Sequence, residues 1–492
     1  MLSRLLKGAA LVLMVMIMAA AVLYFAGMRI VLYGGGTPHL EFVSSPDRQA
    51  TDVSRHREAQ RAAPPAAPAT APPVPALAAS AQPGAVTADA PAPASMKSTP
   101  ASDPRSPGTS YWNGFRGPQR TGTYDQQPVQ TAWAAAGPRL LWKQPIGGGY
   151  ASFAVARGRA FTIEQRGAQE VVAAYDVLTG RELWTNGWTA TFRESMGGDG
   201  PRATPAWADG LVFALGGTGE FRALDEATGR VLWRTNILED AGAQNLQWGM
   251  SASPLVVDDT VVVLPGGAGG RSVVAYSRRD GQRVWSALDD QQSYSSPMLT
   301  EIAGVRQLVV FSAARVAGLI PGTGEVLWEY PWKTDYDVNA SQPVILPGNR
   351  VFLSSGYGHG AVMIEVTRSE PKWSVREVWR NIRMKNQFSS SLLHEGYLYG
   401  LDEAILACLD AATGDVKWKG GRYGYGQVLL ASGHLIVLTE SGELALVRAT
   451  PEGHREVARV PAIEGKTWNH PAINDGYLLI RNGTEMAAFD LR

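Results

Sequence analysis

The phrase A-x-D-x-x-T-G-x-x-x-W recurs through the last three-quarters of the chain and limits its fold more than any other feature. It is complete at Ala174, Asp176, Thr179, Gly180 and Trp184, and again at Ala223, Asp225, Thr228, Gly229 and Trp233. A third copy, at Cys408, Asp410, Thr413, Gly414 and Trp418, differs only in its first residue. Eroded copies end at Trp285 and Trp328, and a sixth breaks off at Ala488-Phe489-Asp490. A spacing of about 40–50 residues in strand-rich sequence marks a propeller or a similar repeat array. Asp and Thr bond back to the main chain at turns, and Gly supplies the positive φ of a tight hairpin. The Trp delivered by the next strand has the size to fill the space between neighbouring sheets.

A second recurring signal, small–polar–Pro, opens the innermost strand of each unit. It occurs at Ala203-Thr204-Pro205, Ala252-Ser253-Pro254, Ser295-Ser296-Pro297, Ser341-Gln342-Pro343 and Asn469-His470-Pro471. Variants without Pro stand at Ala151-Ser152-Phe153, Ser389-Ser390-Ser391 and Gly426-Gln427-Val428. Pro is tolerated at a strand's first residue, where a missing N–H costs least. These eight starts predict an all-β, eight-bladed β-propeller over residues 111–492. Leu140-Leu141-Trp142-Lys143 precedes the first blade and carries a Trp without a hairpin of its own, whereas the last blade has no T-G-x-x-x-W strand. The N-terminal strand is therefore expected to complete the last blade and remove a free sheet edge.

The formal net charge is zero, so no basic surface points to nucleic acid. Residues 8–28 are uncharged and apolar; about 21 residues at ~1.5 Å each reach roughly 31 Å, the thickness of a bilayer core. Arg4 and Lys7 precede this run. The expectation is a cytoplasmic stub at 1–7, a transmembrane signal anchor at 8–28, and a single-pass inner-membrane protein with its body in the periplasm. Residues 29–110 are rich in Pro and Ala and poor in aromatics, the composition of a disordered linker acting as a tether. One cysteine, Cys408, excludes an intrachain disulfide. It occupies the small slot of the repeat phrase and reads as a packed strand residue.

The repeat phrase resembles the tryptophan-docking motif of the pyrroloquinoline quinone (PQQ)-like, quinoprotein-type eight-bladed propellers. The segment Trp112, Phe115, Arg116, Gly117, Pro118, Arg120 and Gly122 is similar to the lead-in of bacterial members. That family includes quinoprotein dehydrogenases, which use PQQ with calcium, and the propeller lipoprotein of the outer-membrane barrel assembly machinery. The resemblance thus implies either an oxidoreductase with PQQ and calcium or a binding module without a cofactor. The chain lacks the vicinal Cys pair of the soluble alcohol dehydrogenases and the lipid-bearing Cys of the assembly lipoprotein. No segment aligns with the dehydrogenases' catalytic aspartate motif, so no catalytic residue is assigned.

Aligned on the Pro slot, the residues three positions earlier are Tyr150, Arg202, Ser251, Tyr294, Ala340, Phe388, Tyr425 and Trp468. One position earlier stand Ser152, Thr204, Ser253, Ser296, Gln342, Ser390, Gln427 and His470, all polar. Residues two apart on a strand share a side, so both rows are expected at one mouth of the channel. In one reading the hydroxyls cap strand starts and the aromatics pack between blades. In the other, Tyr150, Arg202, Trp248, Tyr294, Gln342, Arg422, Tyr425, Trp468 and His470 hold a planar or polar ligand. Glu194, Asp199, Asp337 and Asn339, on the adjoining loops, are then the candidate oxygen ligands for a hard cation. An envelope protein or a small molecule at the channel mouth is the expected partner, besides the membrane. No H-E-x-x-H pair and no G-x-S-x-G elbow occurs. Before Gly465-Lys466-Thr467, Val460 occupies the place of a phosphate loop's first glycine.

Overall fold

The computed structural model describes residues 28–34, 38–42, 45–62, 111–194 and 197–492, with a few isolated positions between 14 and 23. Eight antiparallel sheets follow one another as blades, in strands spanning 154–189, 206–236, 255–287, 298–331, 344–381, 392–422, 427–461 and 472–490. The last of these sheets takes its fourth strand from Arg139–Pro145, which pairs antiparallel with Glu485–Asp490 and sets Trp142 opposite Ala488. The ring therefore closes as the sequence predicts.

The repeat phrase acts between blades. Asp176 takes the Leu178 and Thr179 N–H groups on its carboxylate, at 3.1 and 2.8 Å, and so builds the hairpin. In six of the eight blades the outer-strand Trp then donates from its indole Nε1 to a carbonyl in the next blade's hairpin. Trp184 reaches Glu226 at 2.8 Å, Trp233 reaches Arg278 at 3.0 Å, and Trp285 reaches Pro321 at 2.9 Å. Trp379 and Trp418 do the same with Ala411 and Thr450. The ring also lies against the hairpin glycine: a Cβ on Gly229, at φ 70, would meet Trp184 at 2.4 Å. Glycine there satisfies both the turn and the indole above it. Trp328 departs from the pattern and donates to Gln307 of its own blade, because the next blade has no such hairpin.

Two stretches before the ring pack on it. Residues 112–124 cross one end of the channel: Trp112 is fully buried, its carbonyl accepts the Val155 N–H at 2.7 Å, and the Asn113 carbonyl accepts that of Trp207 at 2.8 Å. Thr123–Tyr124 then joins the seventh blade as a short parallel strand.

The second stretch corrects the expected linker. Within 29–110, Met28–Leu32 and Pro38–Phe42 form an antiparallel hairpin, and Pro46–Ala62 is a helix. Ser45 caps this helix by accepting the Arg48 N–H at 3.2 Å, and Pro46 suits its first turn. The helix lies across the seam between the last and first blades. Gln49 donates to Ile146 O at 2.9 Å, Gln60 to Gln144 Oε1 at 2.7 Å and Arg57 to Pro145 O at 2.8 Å. Arg57 is 2% exposed and lies 5.0 Å from the Tyr175 ring. Residues 63–110 lie outside the described residues, as does most of the apolar run 8–28. Among the described residues no helix is long and apolar enough to cross a membrane.

Candidate functional site

The polar row at the strand starts forms a belt around the channel. The Ser152 N–H donates to Thr204 Oγ1, that of Thr204 to Ser253 Oγ and that of Ser253 to Ser296 Oγ, each at 2.9 Å. Ser296 N–H continues to Gln342 Oε1 at 2.6 Å, and Gln342 N–H to Ser390 Oγ at 3.0 Å. Gln427 donates to the Phe388 and Trp468 carbonyls at 3.0 and 2.9 Å, and Ser152 Oγ returns to His470 O at 2.5 Å. Each step joins adjacent blades, so the belt runs once round the ring. All its members are buried, where an unpaired N–H is costly. In seven of the eight blades a polar side chain is thereby spent on a neighbouring blade, and the eighth contributes the His470 carbonyl.

Above the belt lies a cavity of about 610 Å³. Seven of the eight residues of the other aligned row line it, from Tyr150 and Arg202 round to Phe388 and Trp468; Tyr425 is the eighth. On one side Phe388, Trp468 and Tyr150 form a continuous aromatic wall, with centroids 4.5 and 5.4 Å apart. Across the ring Trp248 and Tyr294 pair at 5.9 Å. Arg202 lies 4.5 Å from the Phe192 ring and donates to Gly198 O at 2.7 Å and to Gly200 O. Burial lowers its pKa. Lys466 sits 4.3 Å over the Trp468 ring, donates to Gly197 O at 3.0 Å, and is lowered to about 8 by burial.

Two further arginines are buried beside the cavity, outside its lining. Arg116 and Arg120 are buried, and burial lowers each to about 9. Arg120 donates to Ser253 O at 3.0 Å, to Pro297 O at 2.9 Å and to Pro254 O; Arg116 donates to Thr121 O at 2.8 Å and Ser391 O at 3.2 Å. Carbonyls of several blades thus hold both guanidiniums. Arg116 Nη1 also faces His470 Nε2 at 3.2 Å, while His470 Nδ1 lies 2.7 Å from Pro471 O. That pairing places the ring proton on Nδ1. Burial, and then the Arg116 charge, hold His470 neutral, well below the ordinary imidazole pKa.

Of the candidate ligand-binding residues, Tyr150, Arg202, Trp248, Tyr294, Trp468 and His470 line the cavity. Gln342 lies below it in the belt, and Arg422 is exposed at the end of its strand, outside the lining. Tyr425 is buried against Phe388 at 5.7 Å. The four candidate cation ligands do not line the cavity, and no group of three or more His, Cys, Asp or Glu converges among the described residues. Asn339 is fully buried and engaged at both amide atoms: its Oδ1 accepts from Ser355 Oγ at 2.8 Å and its Nδ2 donates to Ser312 O at 2.9 Å. Glu194 is turned back on the Gly197 N–H, and Asp337 sits at φ 57 in a short 3₁₀ turn. A calcium ion takes about six to eight oxygens, and these residues do not offer it a shell.

Sequence reasoning missed Glu440, which organises the mouth. Its carboxylate accepts Trp468 Nε1–H at 2.8 Å and the Tyr425 N–H at 3.1 Å. It follows Thr439 in a loop of the seventh blade that carries no repeat phrase, so alignment on the Pro slot passes over it. Tyr357 and Gln387, also on the lining, come from loops outside the aligned rows.

A family model described as outer membrane protein assembly factor BamB matches residues 168–420. The outer membrane protein assembly factor BamB of Bordetella pertussis is 27% identical over 166 residues, covering 32% of this chain and 36% of that relative. The match therefore spans well under two thirds of the relative's length. Among solved structures, the quinohemoprotein alcohol dehydrogenase from Comamonas testosteroni gives a TM-score of 0.59 at 13% identity, covering 77% of this chain and 80% of that one. BamB from Moraxella catarrhalis gives 0.50 at 12% identity, covering 71% and 97%. At such identities the structural likeness concerns the fold.

Proposed function

Because the chain belongs to the outer membrane protein assembly factor BamB family, we propose that it is a binding or scaffold module of the bacterial cell envelope, receiving a protein partner at its funnel mouth. The observation that carries this reading is the belt. The neck's polar side chains are committed to neighbouring blades, which leaves a mouth of Tyr, Trp, Phe and Arg side chains. Those residue types dominate the energetics of protein interfaces. The unassembled cation ligands favour the same reading over a quinoprotein oxidoreductase dependent on PQQ and calcium. Residues 8–28 anchor the chain in the inner membrane, with Arg4 and Lys7 inside and the propeller in the periplasm.

The test uses cells lacking the protein, with folded outer-membrane barrel proteins as the readout. Wild type restores their level, whereas the Trp248→Ala/Tyr294→Ala double variant, present at equal amount and folded, restores it poorly. Stoichiometric binding of PQQ with calcium by the full chain, accompanied by dye reduction with an alcohol or sugar, would overturn the reading.

A further inference from the structure

The funnel mouth already holds a piece of polypeptide. Tyr33 and Gly34, which follow the first strand of the N-terminal hairpin, belong to the cavity lining. The Gly34 N–H donates to Glu440 Oε1 at 2.6 Å. This is the third hydrogen bond on a carboxylate that Trp468 Nε1–H and the Tyr425 N–H hold in place. Glu440 is 5% exposed, so its position is set by the wall and its remaining acceptor capacity is directed at the incoming chain. A fixed, charged acceptor of this kind suits a main-chain N–H, which every peptide carries.

Steric fit selects the residue that brings that N–H. A Cβ on Gly34 would fall 1.9 Å from the Tyr425 ring, so the close approach admits glycine and excludes any side chain. The preceding Tyr33 is held within its own hairpin, its hydroxyl donating to Glu41 and its ring 4.1 Å from that of His39. The two strands pair in register, Met28 with Phe42 and Ile30 with Leu40. What enters the mouth is therefore the pair that follows the hairpin's first strand, an aromatic residue and then glycine. From Phe42 the chain continues within a few residues to the docked helix Pro46–Ala62. So short a tether holds the hairpin at an effective concentration on the order of millimolar.

We propose that the funnel mouth is a receptor for an aromatic–glycine pair at the end of a β-hairpin strand, whose glycine N–H binds Glu440, and that Tyr33 and Gly34 of this chain occupy the receptor in cis. The inference rests on the reading of the funnel as a protein-binding site and names the chemistry of its ligand. A partner's hairpin gains the mouth by displacing the chain's own. The cis hairpin then filters partners, because only a ligand that outcompetes a millimolar local competitor binds.

The experiment uses the full chain and a labelled synthetic peptide of residues 28–42. Gly34→Val in the protein is expected to evict the hairpin. Amide exchange in residues 28–34 and 38–42 should rise at least tenfold, with exchange in the blades unchanged. Fluorescence anisotropy should show the wild-type peptide binding this variant at least tenfold more tightly than it binds wild-type protein. A peptide carrying the same Gly34→Val change should bind at least tenfold more weakly, a comparison that does not depend on how the protein tolerates substitution. Glu440→Gln, combined with Gly34→Val in the protein, should weaken binding of the wild-type peptide. Equal binding of the two peptides, or no binding to the evicted protein, overturns the inference. If either occurs while the Trp248→Ala/Tyr294→Ala variant still fails in cells, the fault lies with the hairpin assignment and the protein-binding reading stands.

Discussion

Trp142 Nε1–H donates to the Val177 carbonyl at 2.9 Å, so the closing strand docks on the first blade by the bond that joins most other neighbours in the ring. A Cβ on Gly180 would meet the same indole at 2.7 Å, as in the repeats that follow. Trp142→Ala should destabilise the propeller by about 2–4 kcal/mol, combining lost burial with a lost bond. Trp142→Phe should cost roughly half as much, because it keeps a ring over Gly180. Urea unfolding followed by tryptophan fluorescence checks the order; equal stability of Trp142→Ala and wild type would count against the seam as a stabilising closure.

The belt makes a graded prediction. Ser253→Ala leaves the buried Thr204 N–H without its acceptor and should cost about 1–3 kcal/mol. Gln342→Ala should cost more. Its Oε1 accepts from Ser296 N–H at 2.6 Å and Ser295 Oγ at 2.9 Å, while its Nε2 donates to Ser296 O at 3.0 Å. Denaturant midpoints at constant m-value provide the measurement, and a smaller loss for Gln342→Ala would contradict this order.

Two buried groups set opposing pH dependences. Glu170 accepts the Gly217 N–H at 2.9 Å, and burial lifts its carboxyl from 4.5 to about 7. His470 is pushed the other way, well below 6.5. Between about pH 5 and 6.5 the folded state therefore holds a proton on Glu170 that the unfolded chain has lost. It also lacks one on His470 that the unfolded chain has gained. Each contributes a slope of up to about 1.4 kcal/mol per pH unit, with opposite sign. Their contributions should largely cancel in the wild type. In Glu170→Gln, stability should rise with pH through this window; in His470→Gln it should fall with pH, up to about 7. Unfolding free energies at pH 5, 6 and 7 separate the three proteins, and parallel profiles would refute the assignment.

The proposed topology is tested by a reporter active only after export, fused behind Arg492. It should be active, and the chain should stay in the membrane fraction after a high-salt wash. Release of a shortened soluble form would show cleavage near Ala21 in place of anchoring.

The sequence by itself determined the number of blades, the turns of the hairpins that carry the repeat phrase and the strand that closes the ring. Turn chemistry such as Asp176-x-x-Thr179-Gly180 is local, and its repetition leaves little freedom in how each sheet forms. The alignment on the Pro slot likewise brought Tyr150, Tyr294, Phe388 and Trp468 to one level, because side-chain direction alternates along every strand. Tertiary structure decided what those levels do. A serine at a strand start is read equally well as a cap or as a ligand until the next blade's N–H arrives, as that of Thr204 does at Ser253. Arg116 and Arg120 look like ordinary surface cations until carbonyls 275 and 177 residues away, Ser391 O and Pro297 O, close around them. The helix Pro46–Ala62 escaped notice for the same reason. Its docked face is Gln49, Val53, Arg57 and Gln60, so it carries almost no hydrophobic periodicity, and only Ser45-Pro46-Asp47 signals its start. Polar docking across a closed ring depends on partners distant in sequence, and a local pattern cannot contain them.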